Sequence, residues 1–249
     1  MKLAADLHCH TISSGHAYST VQEIAREAST KGLEMIAITD HGPSMPGAPH
    51  LYHFGNLRVL PEEIYGVKIL KGVEANIIDY EGTLDLPKRY LKMLDIVLAG
   101  FHTYCYPGGT VEENTKAMIN AMKNPFVDIV VHPGNPEFPI NISKVVKAAR
   151  DLNVFIEINN SSFTVSRRGS EENCLAIAKK CAELGAGISL GSDAHIAFDV
   201  GNFHKAMEVV IAAGIKEQQI LNTSVDKIKK YLEEKGKGSV PKAKKASKI

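Results

Sequence analysis

Short apolar runs of strand length alternate along this chain with stretches whose apolar residues return every third or fourth position. The first run, Leu3-Ala4-Ala5-Asp6-Leu7, leads into His8-Cys9-His10; further runs occupy 35–39, 68–73, 96–99, 129–131, 154–158 and 187–190. Helical spacing predicts helices over 20–30, 111–122, 141–152, 170–184, 202–213 and 224–234, with brief ones around 61–65 and 86–93. Thr20 with Glu23 three residues later reads as a capping box, and Gly32 as the stop. Ser170 reads as the cap of a helix with Glu171 and Glu172 in its first turn, acids that suit the positive end of a helix. Residues 76–83 read as a hairpin or extension. The stretch 42–57 carries three prolines, His50 and His53 and is too long for a mere connector, so a lid or substrate wall is expected there. Strand followed by helix recurs seven times, the rhythm of an α/β fold with parallel crossovers.

Every strand-like run except 154–158 leads into a residue whose side chain ligates metals. After the first come His8 and His10, then His16; after the second, Asp40 and His41; after the third, Glu74; after the fourth and fifth, His102 and His132; after the last, Asp193 and His195. Imidazole and carboxylate are donors that zinc, manganese and iron accept. On a regular strand Asp6, His8 and His10 share one face while Leu7 and Cys9 take the other. A closed barrel gathers all carboxyl ends at one mouth, whereas an open doubly wound sheet spreads them along an edge. The ligand set therefore favours a barrel, of seven strands. No Gly-x-Gly-x-x-Gly or phosphate loop supports a nucleotide cofactor.

Length and charge narrow the class further. At 249 residues, with 44% hydrophobic residues and a mean hydropathy of −0.09, the chain fits one large globular domain. No apolar window has the length of a membrane span, and no basic or cleavable apolar segment precedes the first strand, so a cytoplasmic home is the expectation. Six of the 29 basic residues follow Glu234, which leaves residues 1–234 with 23 against 28 acidic ones. A body of that sign is a poor partner for nucleic acid. The division places a single domain at 1–235 and a basic, disordered tail at 236–249. Cys9, Cys105, Cys174 and Cys181 show no Cys-x-x-Cys spacing and read as reduced packing residues.

Nine candidate ligands, His8, His10, His16, His41, Glu74, His102, His132, Asp193 and His195, exceed what one four-coordinate ion needs and suit a three-metal cluster with bridging carboxylates. Such a cluster lowers the pKa of a shared water and neutralises anionic oxygens, chemistry matched to phosphate ester hydrolysis by a metal-activated hydroxide. Asp6-Leu7-His8-Cys9-His10, Thr39-Asp40-His41, Glu74, His102, His132-Pro133 and Ser192-Asp193-Ala194-His195 together resemble the PHP (polymerase and histidinol phosphatase) superfamily. The motif order, His16 and the Gly191-to-His195 close look like its YcdX-type phosphatase branch. The resemblance covers about residues 1–235. It implies a distorted seven-stranded (β/α)7 barrel, a trinuclear zinc site with manganese or iron as alternatives, and phosphatase activity on small monoesters. By position it implies one ion on His8, His10, Glu74 and Asp193, a second bridged by Glu74 to His102 and His132, and a third on His16, His41 and His195. Asp6 would orient a ligand histidine, with Asp40 a second candidate.

Arg167 and Arg168 could fork onto a substrate phosphate or form a solvated basic turn, and Asn159 could add a polar contact at the same mouth. Tyr104 could wall the pocket or pack. His50 and His53 could touch substrate from the lid. Histidinol-phosphatase and phosphodiesterase or nuclease activities remain alternatives on one site, as does a metal-binding regulatory module without turnover. Neither the natural substrate nor the oligomeric state is readable.

Overall fold

The computed structural model describes residues 1–164 and 166–237 of the chain. Seven parallel strands form its frame: β1 (Ala5–Cys9), β2 (Met35–Ile38), β4 (Val67–Asn76), β5 (Ile96–Gly100), β6 (Ile129–Val130), β7 (Phe155–Asn159) and β8 (Ile188–Gly191), paired in that order. They are almost wholly buried and rich in Val and Ile, as strands covered on both faces must be. Helices α1 (Val21–Thr30), α4 (Val111–Met122), α5 (Ile142–Asp151), α6 (Glu171–Leu184) and α7 (His204–Ala212) alternate with them. The architecture is the seven-stranded α/β barrel expected from the apolar runs.

The barrel closes between β8 and β1 by two different means. At the mouth Cys9 bridges Ala194, and the Asp193 N–H donates to the His8 carbonyl at 3.0 Å. Deeper in the seam the fully buried Asn222 side chain stands in for a strand. Its Nδ2 donates to the carbonyls of Ala5 and Leu190, both at 2.9 Å, and its Oδ1 accepts from the Leu190 N–H at 3.1 Å. Below it, α8 (Val225–Glu234) plugs the amino-terminal end: Val225, Ile228, Tyr231 and Leu232 pack on Ala5, Leu7, Met35, Ile96 and Ile129 from the strand starts.

Several local expectations are corrected. The stretch around 61–65 is no helix; Glu63–Ile64 is a short strand, β3, antiparallel to β4. Tyr65 and Gly66, at φ 53° and 79°, form the two-residue turn between them, left-handed at both positions as a tight hairpin requires. Tyr-Gly lacks the Asn-Gly signature, and Arg26 and Ser29 of α1 hold Tyr65 in place instead. Within 42–57 lies α2 (Leu51–Asn56), its first turn capped by His50. Ser170 does not cap α6; its hydroxyl donates to the Arg167 carbonyl at 2.5 Å. Strict alternation along β1 fails because its register against β2 slips between Asp6 and Cys9. Leu7 therefore joins the barrel interior, Cys9 the outer core, and Asp6 leaves the face of the two histidines. Of the expected tail, Gly236 and Lys237 are described, and Lys237 pairs with buried Asp128; residues 238–249 lie outside the described residues.

Asn222→Ala should leave two carbonyls and one N–H unpaired inside the seam. We expect a loss of about 3 kcal/mol in urea unfolding of the metal-free protein; a loss below about 0.5 kcal/mol would mean that the seam closes without it.

Candidate metal centre at the barrel mouth

Each ligand candidate lies at or just beyond a strand end, so the barrel brings residues 8 to 195 into one bowl. Glu74, near the end of β4, is its middle. Its Oε2 lies 3.4 Å from His8 Nε2, 3.4 Å from His10 Nε2 and 2.7 Å from His41 Nδ1; its Oε1 lies 3.1 Å from His102 Nε2 and 2.7 Å from His132 Nε2. Asp193 Oδ1 stands 3.5 Å from His8 Nε2 and 3.2 Å from His10 Nε2.

Four of these atoms, His8 Nε2, His10 Nε2, Glu74 Oε2 and Asp193 Oδ1, are buried and make no hydrogen bond. An orphaned buried polar atom costs about 1–3 kcal/mol, so four at one point need a common partner. Two donors each about 2.0–2.1 Å from a tetrahedral ion sit about 3.3 Å apart. The 3.2–3.5 Å edges among the four match that figure. The donor set fits a divalent cation. Two more groups have ligand atoms within 4.8 Å of one another: His41, Glu74 and His102, and His10, His41 and His195. His16 is exposed, its ring centroid 5.0 Å from that of His41 and 4.9 Å from that of His195.

The rings are held by partners that the pattern of strand ends did not reveal. His8 Nδ1 bonds Glu157 Oε1 at 2.7 Å, which leaves Nε2 free to face a cation. Glu157 lies mid-strand in β7, 2% exposed, and its other oxygen accepts the His132 N–H at 2.9 Å. An acid inside the apolar run Ile156-Glu157-Ile158 was the available signal. Gly191 is required beside it, because a Cβ there would collide with the Glu157 carboxylate. His102 Nδ1 bonds Asn76 Oδ1 at 2.7 Å, and Asn76 Nδ2 donates to Asp85 at 2.6 Å. His10 Nδ1 bonds Ser14 Oγ at 3.0 Å, and Ser14 donates to Asp40 at 2.7 Å. Asp40 thus acts on a ligand ring through a hydroxyl. Asp6 instead takes the backbone N–H groups of Gly201, Ser192 and His8 and touches no imidazole.

Charge follows the same arrangement. Burial alone would raise Glu74, but His102, His41 and His8 hold it well below the usual carboxylate range. Asp193 is likewise depressed, burial being outweighed by His8 and Arg167. Burial holds His10 well below its ordinary value, with His41 and His195 adding to it; burial and Arg167 bring His132 to about 3. Neutral imidazoles are what a metal needs. His8 is the exception: burial lowers it, yet Glu157, Asp193 and Glu74 raise it well above its ordinary value, so an ion bound there would have to displace a proton. Burial pushes the Cys174 and Cys181 thiols up to about 12, so both are uncharged packing groups at neutral pH.

Arg167 and Arg168 separate. Arg167 NH1 donates to Asp193 Oδ2 at 2.9 Å, while Arg168 is exposed. Asn159 Nδ2 donates to Glu157 at 3.0 Å and Asp193 at 3.2 Å. Tyr104 is 80% exposed at the mouth and packs no core. Among the described residues, three of the five non-glycine residues with positive φ are His132, Arg167 and Asp193, a concentration of strain that costs roughly 1–3 kcal/mol per residue.

Residues 6–238 match the PHP domain. The chain belongs to the PHP domain family. It is 63% identical over 236 residues to a probable phosphatase of Thermoanaerobacter sp. strain X514, covering 94% of this chain and 96% of that one. It is 57% identical over 235 residues to a probable phosphatase of Acetivibrio thermocellus, covering 94% and 97%. Its fold is similar to that of histidinol phosphate phosphatase from Lactococcus lactis subsp. lactis, solved with zinc, L-histidinol and phosphate. That likeness has a TM-score of 0.57 at 17% identity over 86% of this PHP chain and 94% of the other. No helix among the described residues is long and apolar enough to cross a membrane.

Two variants test the supports. Glu157→Gln should weaken the tightest metal by roughly tenfold to a hundredfold in a chelator competition; unchanged affinity would remove Glu157 from the account. Asp40 is held at about 2, where burial would raise it and His53 and Ser14 prevail. A depressed carboxylate stabilises the fold above its unfolded value, 3.8, and that contribution drains away as pH falls to about 2. Metal-free Asp40→Asn should therefore be about 2 kcal/mol less stable near neutrality, with the gap from wild type narrowing below about pH 4. A gap independent of pH would contradict this.

Proposed function

We propose that this chain is a metal-dependent phosphatase that hydrolyses small phosphate monoesters at a trinuclear centre in the barrel mouth. Membership of the PHP family, with close relatives named probable phosphatases, places it among phosphoric ester hydrolases. The observation that carries the finer reading is the convergence of four unpartnered donors from His8, His10, Glu74 and Asp193 with Arg167 beside them.

His8, His10, Glu74 and Asp193 would hold one ion. Glu74 would share its other oxygen with a second, beside His102 and His132. His41 and His195 would hold a third, with His16, whose ring already stacks against both. Divalent ions at such a centre supply Lewis-acid charge and an activated water. Zinc is favoured by the imidazole-rich donor set and by its presence in the Lactococcus structure, with manganese or iron able to replace it.

The side chains do the remaining work. Arg167 swaps Asp193 Oδ2 for a phosphate oxygen of the incoming dianion, a charge-assisted contact that a neutral amide substrate could not repay. Asn159 keeps Asp193 aimed at the ion when Arg167 leaves it. Glu157, Asn76 and Ser14 fix the tautomers of His8, His102 and His10, so no ring reorients as charge develops.

The purified chain should hold roughly three transition-metal ions and release phosphate from p-nitrophenyl phosphate. Chelation should abolish the activity and zinc restore it. Asp193→Ala should lower kcat/KM roughly a hundredfold or more, and Arg167→Ala should raise KM about tenfold. The panel should include histidinol phosphate, a bis-aryl diester and single-stranded DNA, with monoesters cleaved fastest. A fully metallated protein that leaves every monoester intact sinks the proposal.

A further inference from the structure

The stretch between Gly42 and Leu57, which passes over the mouth, is tied at both ends to the carboxylates that support two ligand rings. At its start the Ser44 N–H donates to Asp85 Oδ2 at 2.9 Å. Asp85 in turn holds Asn76, the partner of His102, and lies where a Cβ on Gly42 would sit. At its far end, in α2, His53 Nε2 stands 3.4 Å from Asp40 Oδ2. Asp40 holds Ser14, and Ser14 holds His10. The Ser14 hydroxyl also accepts the His41 N–H at 3.2 Å, so one serine joins two ligand candidates to the same carboxylate.

His53 Nε2 is buried yet makes no full hydrogen bond. Its nearest acid is Asp40, at a distance a few tenths of an ångström beyond a good N–H···O contact. The rest of the Asp40 carboxylate is already engaged by the Thr11 N–H at 2.7 Å, the Thr11 hydroxyl and Ser14. A ring in this position is poised to complete the last bond as α2 settles inward.

We propose that His53 is a positioning residue that couples the 42–57 segment to the metal centre, rather than a substrate contact. By donating to Asp40 it steadies the Asp40–Ser14–His10 chain and holds His10 with Nε2 toward the ion. Loading the ion fixes His10 and, through the same chain, draws α2 onto the mouth. The two events are then one equilibrium: metal orders the segment, and an anchored segment tightens the metal. The inference rests on the reading of His10 as a ligand, but not on the reaction catalysed.

The test compares full-length wild type, His53→Ala and His53→Gln without measuring turnover. Zinc affinity is read by competition with a chromophoric chelator, and hydrogen exchange of residues 42–57 is followed with and without zinc. Wild type should gain protection in this segment on zinc binding. His53→Ala should lose most of that gain and bind its tightest zinc, the one assigned to His8 and His10, about tenfold less tightly. His53→Gln, whose amide can still donate to Asp40, should recover most of both. All three metal-free forms should unfold in one cooperative transition well above the temperature of the assay, which separates positioning from general unfolding. Wild-type zinc affinity and protection in His53→Ala, or a Gln variant no better than Ala, would overturn the proposal. If zinc couples to the segment but no phosphomonoester is cleaved, this inference stands and the phosphatase reading alone fails.

Discussion

One buried carboxylate sits among five imidazoles, and the rest of the site is built to keep it there. Glu74 is fully buried, with nitrogens of His8, His10, His41, His102 and His132 within 3.4 Å. Without a cation the arrangement is costly: ligand-type atoms crowd one another and several have no hydrogen bond. The β4 strand runs on past β2, whose pairing with it ends at Lys71, and stays paired with β5 from Gly72 to Asn76; this stretch carries Glu74 up into the mouth. Everything outward from it, Glu157 behind His8, Asn76 behind His102, Ser14 behind His10, serves to aim nitrogen lone pairs at that spot.

The barrel makes such crowding affordable. Parallel strands bury both faces, and α8 with Asn222 seals the far end and the seam, so strain at the mouth is held by a core that does not yield. His132 and Asp193 sit at φ 37° and 56°, conformations that side-chain-bearing residues avoid. Each lies two residues beyond a strand end, and in both the backbone turn brings the side chain into the bowl instead of along the strand axis. Gly191 and Gly42 do the opposite work: by having no Cβ they let Glu157 and Asp85 come close enough to support the rings.

Much of this was legible in the chain. Ligand residues closing apolar runs are readable because a strand cannot hide a histidine or acid at its end without a reason, and closing the barrel then puts them together. Helices α1 and α5, capped at Thr20 and Asn141, were legible for the same local reason. The supporting partners were not, since Ser14, Asn76 and Glu157 gain meaning only from which ring they touch across 4 to 149 positions. The bulge in β1 was invisible too: it comes from how β1 meets β2, and it sends Asp6 to the backbone of Ser192 and Gly201 where simple alternation aimed it at the histidines. Arg167 and Arg168 are adjacent and chemically alike, and only the left-handed turn at Arg167, latched by Ser170, selects which one reaches Asp193.

The account stands on a cation held in common by residues far apart in sequence. An anomalous difference map from crystals of zinc-loaded protein, collected on both sides of the zinc edge, locates such ions without reference to activity. The strongest peak should lie about 2.0–2.1 Å from His8 Nε2, His10 Nε2, Glu74 Oε2 and Asp193 Oδ1 together, with further peaks on the far side of Glu74. A map whose zinc peaks sit elsewhere, with those four atoms bonded to one another or to water alone, would contradict it.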